Sequence, residues 1–243
     1  MAETGISASS ELVVVFDLDD TLYDEVDFVL SGIEAILLLL GNIEGVDTDE
    51  CRRVMYEAVN RHENHYSALE SYLDHNGIRS QVNMEYIVTA LRNHYPCHIE
   101  LRPGMRQTLE NLYKHGVILG LLTDGRSVTQ RHKIESLGIG HYFDSEAIRI
   151  SGETGVDKHK AAAYSWFMEH YPDRRYVYIG DNPAKDFLYP NRMGWLTICI
   201  ADPGRNIHPQ QNSDTAEARA QLTVTAADSL AECVYKNATI TGR

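Results

Sequence analysis

Leu12-Val13-Val14-Val15-Phe16 is apolar at every position and is followed at once by Asp17, Asp19 and Asp20. A half-exposed strand alternates polar and apolar residues. An unbroken run with three consecutive valines instead predicts a central parallel strand covered on both faces. Acidic residues at its carboxyl end fall where α/β sheets bind ligands, in the crevice beyond the strand tips. Three neighbouring carboxylates repel one another unless a cation joins them or one takes a proton. A hard divalent ion with oxygen ligands, Mg²⁺ by preference, meets that need. The same residues also fit an acidic loop that caps the next helix, with Asp20 or Thr21 as N-cap.

After this stretch the pattern turns helical. Residues 26–40 stop at Gly41, 48–63 follow Asp47 or Thr48 as cap, 67–75 end at Asn76-Gly77, and 82–94 stop before Pro96. Further apolar runs at 117–122, 147–150, 176–180, 196–200 and 222–225 then alternate with predicted helices reaching His115 and covering 127–137, 161–171 and 226–235. A helix behind Pro183 is a further expectation, and 202–219 reads as a long polar loop. Strands alternating with helices predict an α/β fold with a parallel sheet.

Composition limits the classes of function. The chain has 243 residues, 43% of them hydrophobic, enough for one large core and a smaller lobe. A net charge of -13 argues against an electrostatic grip on nucleic acid or an anionic membrane. Cys51, Cys97, Cys199 and Cys233 form no Cys-x-x-Cys pair and read as reduced thiols of a cytoplasmic protein. Met1 to Ser10 carry no basic start, so no signal peptide is read there. The apolar stretch 33–40 contains Glu34 and is too short to span a bilayer, which leaves an inward helix face.

Chemistry concentrates at the strand ends. A carboxylate such as Asp17 can act as a covalent nucleophile, and a second carboxyl such as Asp19 can carry the proton. Thr123-Asp124-Gly125-Arg126 ends the second long strand, where a hydroxyl and backbone amides can hold phosphoryl oxygens beside a helix start. Lys158 follows a glycine-containing stretch, 151–157, that reads as a loop, with Lys160 close enough to compete. Gly180-Asp181 ends a third strand, and Asp186 follows five residues later. His62 and His65 stand at helical spacing for a metal pair, although exposed helix histidines are the simpler reading.

Asp17-Leu18-Asp19-Asp20-Thr21 after an apolar strand resembles the signature of haloacid dehalogenase superfamily phosphotransferases, and the three later motifs follow in that family's order. The resemblance implies a Rossmann-like parallel sheet core (1–23 and 98–243) with an inserted helical cap domain (24–97). It implies Asp17 as nucleophile, Asp19 as general acid/base, and Thr21 tying down the backbone. Thr123, Asp124, Gly125 and Lys158 would bind phosphate, with Thr123 and Lys158 counted in the catalytic set. Asp17, Asp19, Asp181 and Asp186 would serve the metal, Asp186 directly, through water or by orienting Lys158. Asp24, Glu25, Phe28 and Arg126 are candidates for substrate contact, although the first three also fit a helix entry and Arg126 a solvated helix start. His159 stands where the family usually has proline, and Asp124 where it often has Asn.

The implied activity is Mg²⁺-dependent hydrolysis of a small phosphorylated metabolite, such as a sugar phosphate, nucleoside monophosphate or phosphoglycolate-like acid, through an aspartyl phosphate. A phosphomutase, a 2-haloacid dehalogenase and a non-catalytic regulatory protein share the fold and stay open at this point. A monomer or homodimer is expected.

Overall fold

The computed structural model describes residues 11–210 and 215–238. The reading of Met1 to Ser10 therefore lies outside the described residues. Six parallel strands form one sheet in the order β3-β2-β1-β4-β5-β6: β1 Leu12–Phe16, β2 Ile118–Thr123, β3 Ile148–Ile150, β4 Arg175–Gly180, β5 Leu196–Ile200 and β6 Leu222–Val224. The first strand is flanked by β2 and β4, so the strand order reverses direction there. That switch point opens a crevice beyond the tips of β1, β2 and β4.

Period-2 alternation along β1 divides the core into two layers. Val14 and Phe16 pack with Leu109, Leu112, Leu119, Leu121 and Ile134 on one face. Val13 and Val15 pack with Phe167, Tyr178 and Trp195 on the other. All five residues of β1 are buried, as a doubly covered strand requires.

Between β1 and β2 stand α1 Glu25–Leu40, α2 Thr48–Asn60, α3 His65–His75, α4 Met84–Asn93 and α5 Met105–Lys114. The first four share their own apolar centre, with Ile33, Ile36, Leu37, Leu40, Met55, Leu73, Ile87 and Leu91 packed together. The run 33–40 is thus an inward face, with Leu38 left outside at 77% exposure. Side-chain caps start three of these helices: Asp47, Asn64 and Asn83 accept backbone N–H groups of the turns that follow them. Asp47 rather than Thr48 is the cap of α2.

The remaining helices are α6 Ser127–Ser136, α7 Ser151–Thr154, α8 Ala161–His170, α9 Leu188–Arg192 and α10 Leu230–Ala238. Three expectations need correction. No helix starts behind Pro183, because Asn182 and Asp186 fold the chain into a turn through Asp186 N–H to Asn182 O at 2.9 Å, and α9 begins only at Leu188. The segment after β3 is a short helix rather than a loop, closed by Gly155 at φ 71°. The last helix starts at Leu230, after a 3₁₀ turn over Ala227–Ser229. Among the described residues, no helix is long and apolar enough to cross a membrane.

Candidate active site

The tips of β1, β2 and β4, with the bend after α7, bring their polar residues to one cavity of about 120 Å³. Its lining includes Asp17 and Asp19, Thr123 and Asp124, Lys158, and Asp181 with Asp186. Oxygens of Asp17, Asp181 and Asp186 all lie within 4.8 Å of one another, and all three residues are buried. Lys158 is driven between two of them, with Nζ 2.6 Å from Asp17 Oδ1 and 2.9 Å from Asp186 Oδ1. Lys160 is exposed and pairs only loosely with Asp157, at 3.7 Å. The bend after the segment 151–157 is what aims Lys158 inward: its backbone N–H donates to Asp124 Oδ1 at 3.2 Å.

Asp186 is held from three sides. Lys158 Nζ and the Tyr178 hydroxyl donate to Oδ1, and Asn182 N–H donates to Oδ2. With both oxygens engaged, its evident work is to hold Lys158.

Asp19 lines the same cavity but is not one of the three carboxylates whose oxygens converge within 4.8 Å. It takes donors from Lys133 Nζ at 2.7 Å, Gln130 Nε2 at 2.8 Å and the Tyr23 hydroxyl. Gln130 also meets Thr123 Oγ1 at 2.6 Å and so ties the second motif to the first. Lys133 lies 4.2 Å over the Phe28 ring, and Phe28 packs against His94 of the helical insertion at 4.5 Å.

The remaining sequence candidates divide. Glu25 lines the cavity, but Asp24 is taken by Arg102 Nε at 2.7 Å and Arg205 Nε at 2.6 Å. Phe28 serves as the floor under Lys133, and Arg126 is exposed away from the cavity lining. The Gly125 N–H donates to Ser151 Oγ at 3.0 Å and so is not free to hold a phosphoryl oxygen. Thr21 is buried, and its Oγ1 has no hydrogen-bond partner among the described residues, so it does not tie down the backbone. Asp20 takes the capping part, accepting N–H from Glu25 at 2.9 Å and from Ile207 at 3.1 Å. His62 Nδ1 lies 3.2 Å from Ile207 O, and His65 packs on Tyr66 rather than forming a metal pair.

Sequence reasoning missed Gln130, Lys133, Tyr23 and Asn206. Gln130 and Lys133 are three apart on α6 and buried, and a polar pair at that spacing on the buried side of a helix was the available signal. Asn206, from the 202–210 loop, donates Nδ2–H to Asp181 Oδ2 at 2.9 Å, and no local pattern marks it.

The electrostatics follow from burial. Desolvation pushes Asp17 up to about 7 against the pull of Lys158, with the Asp186 charge adding to the rise. Burial, then Asp186 and Asp17, push Asp181 up to about 9. Burial beside Asp19 pushes Glu25 up to about 8. Desolvation opposes ionisation of Asp19 too, but the Lys133 charge and the donors from Lys133, Tyr23 and Gln130 outweigh it, and its carboxyl lies below the usual range. Burial works against the charge on Lys158, yet Asp17 and Asp186 hold its ammonium well above the usual lysine range. Three buried carboxyls with one lysine make an excess of negative charge, and their donors are all hard oxygens. That set fits Mg²⁺.

The family model described as haloacid dehalogenase-like hydrolase matches residues 14–200, and the chain belongs to that family. A glyceraldehyde 3-phosphate phosphatase of Methanocaldococcus jannaschii is 25% identical over 193 residues, covering 77% of this chain and 83% of that one. A ribulose-1,5-bisphosphate 5-phosphatase of Halopiger xanaduensis is 26% identical over 223 residues, covering 86% and 92%. Among solved structures, a haloacid dehalogenase-like family hydrolase from Xanthomonas campestris superposes with a TM-score of 0.60 at 18% identity over 96% of this chain and 98% of that one. This last likeness extends to the fold alone.

Proposed function

We propose that this protein is a Mg²⁺-dependent phosphatase that hydrolyses a small phosphorylated metabolite through an aspartyl phosphate, with the helices of 24–97 as its cap. The observation that carries the reading is the buried trio of Asp17, Asp181 and Asp186, with Lys158 paired to Asp17 and Asp186, and Asp19 lining the same cavity held by its own donors. Relatives named for phosphatase activity on glyceraldehyde 3-phosphate and ribulose 1,5-bisphosphate support the substrate class, and a cavity of about 120 Å³ suits small compounds.

The site residues divide the work. Asp17 attacks phosphorus in line, and the bond to the leaving oxygen breaks as Asp19 delivers a proton to that oxygen. Arrival of a phosphoryl dianion beside Asp19 raises its proton affinity, which prepares it as the acid. In the second step water attacks phosphorus, Asp19 takes its proton, and Asp17 is released with inorganic phosphate. Lys158 and the Thr123 hydroxyl stabilise charge on the transferring oxygens. Asp17 and Asp181 would hold Mg²⁺, which when bound supplies positive charge against the phosphoryl oxygens. The cap helices exclude water from the reacting centre.

A dehalogenase would share Asp17 as nucleophile but needs neither Mg²⁺ nor an acid two residues on, so Asp19 and Asp181 speak against it. A phosphomutase would use the same residues and return isomer. The test is phosphate release from a panel of phosphorylated metabolites with Mg²⁺, by wild type and Asp17→Asn. Turnover is expected only in wild type, with both proteins folded by circular dichroism. Near-normal release by Asp17→Asn refutes the nucleophile, and isomer without free phosphate identifies a mutase.

A further inference from the structure

Asp181 is gripped by a loop that no sequence motif marks. The 202–210 loop leaves β5 and turns at once, because Asp202 Oδ1 accepts the N–H groups of Gly204, Arg205 and Asn206 at 2.7 to 3.0 Å. The turn sends Asn206 into the protein, where it is 1% exposed. There its Nδ2–H donates to Asp181 Oδ2 at 2.9 Å. Further along the same loop, Gln210 Nε2 donates to the Asp181 backbone oxygen at 2.7 Å and to Ile200 O at 2.6 Å.

The orientation of the Asn206 amide is fixed from its other end. Arg102 Nη2 donates to Asn206 Oδ1 at 2.8 Å, and a guanidinium has only donors to offer. The amide oxygen must therefore face Arg102 and its N–H groups must face Asp181. With Oδ2 of Asp181 occupied by this donor, Oδ1 makes no hydrogen bond among the described residues. Arg102 is itself locked where the chain returns from the helical insertion, with its backbone N–H on Leu22 O at 2.9 Å and its Nε on Asp24.

We infer that Asn206 is a positioning residue for the divalent-cation site, holding Asp181 with one oxygen presented to the ion, and that Arg102 sets the way its amide faces. This rests on the Mg²⁺-dependent reading of the same site. It also ties cation binding to both chain crossings of the helical insertion, since Arg102 grips Asp24 on the outgoing crossing.

The test is calorimetric titration of Mg²⁺ into wild type, Asp181→Asn, Asn206→Ala, Asn206→Leu, Arg102→Lys and Arg205→Gln, with melting of each metal-free protein alongside. Hydrogen-bonding partners of metal ligands are worth about 10- to 100-fold in metal affinity, and a loss of that size is expected in both Asn206 variants. Arg102→Lys should show a smaller loss, and Arg205→Gln, which contacts Asp24 and Asp27 but not Asp181, should bind Mg²⁺ as wild type does. Phosphate release by Asn206→Ala, assayed well below the melting temperature of its metal-free form so that the protein is folded throughout, should recover as Mg²⁺ is raised. If Asn206→Ala fails to fold, Asn206→Leu preserves side-chain bulk and decides the point. Wild-type Mg²⁺ affinity in the folded Asn206 variants overturns the inference and leaves the phosphatase reading standing. Absence of Mg²⁺ binding by wild type overturns both.

Discussion

Lys133 and Asp19 stand 114 positions apart in the chain and meet in an ion pair of 2.7 Å whose lysine end is almost fully enclosed. The ammonium rests on the Phe28 ring, so its nearest charged partner is the carboxylate proposed to move protons. Breaking one half of a buried pair leaves the other charge without compensation.

Lys133→Met should therefore lower kcat by up to about 100-fold, the low end of the range assigned to positioned acid/base groups. It should also move the alkaline limb of the kcat/KM profile to higher pH, because Asp19 must carry a proton in the first step and the lysine is what holds its carboxyl below its usual range. A pH profile measured with one good substrate checks this. An unmoved alkaline limb would separate Lys133 from the proton chemistry.

Burial places Asp17 at about 7, Glu25 at about 8 and Asp181 at about 9, against unfolded values near 4. Over that window the folded protein binds more protons than the unfolded chain, so stability falls as pH rises. Metal-free protein should melt at progressively lower temperature from pH 5 to pH 9. Mg²⁺ should restore more of the loss at the alkaline end, where the ion replaces protons on Asp17 and Asp181. Asp19, shifted downward, adds its stability above the unfolded carboxylate value and loses it only in acid, outside this range. Melting curves at three pH values with and without Mg²⁺ measure the effect, and a metal-free Tm that climbs across the window would contradict it.

Gly180 ends β4 directly beneath Asp186. A methyl group there would lie 2.5 Å from Asp186 Oδ2 and 2.8 Å from its Cγ. Asp186 has no room to yield, being tied to Lys158, Tyr178 and Asn182. Gly180→Ala is expected to cost about 1–3 kcal/mol, the usual price of overpacking, and to depress turnover by displacing Lys158 from Asp17. Chemical denaturation and the phosphate-release assay report the two effects separately. Full activity in Gly180→Ala would mean that Asp186 can shift without disturbing Lys158.

Much of the architecture was legible before any coordinates. The unbroken apolar run at Leu12–Phe16 specified a doubly covered strand, since its alternate residues feed two different core layers. The four helices after it were legible from periodicity and caps, because both signals are local to a few residues. Boundaries drifted where a neighbouring group intervened, as at Asn182, whose bonds to Asp186 turn the chain where Pro183 suggested a helix.

The candidate site was half legible. Asp17, Thr123, Lys158, Asp181 and Asp186 follow strand ends, and strand ends converge in a parallel sheet whatever the intervening helices do. Which side chains would be taken by other partners was not written in the local pattern. Asp24, a candidate for substrate contact, instead pairs in this structure with Arg102 and Arg205, from positions 78 and 181 residues away. The Gly125 amide was claimed by Ser151, and the carboxylate of Asp19 by Gln130 and Lys133.

The sequence by itself determined the strand that anchors the sheet, the order of its elements and the acids at its tips, because hydrophobic periodicity and turn chemistry act over short distances. Only the tertiary structure decided how those acids share their donors, with Asp186 on Lys158, Asp19 on Lys133 and Asp181 on Asn206. Hydrogen bonds and ion pairs act over a few ångströms of space, and chain separations of 25 to 114 residues are closed only by folding.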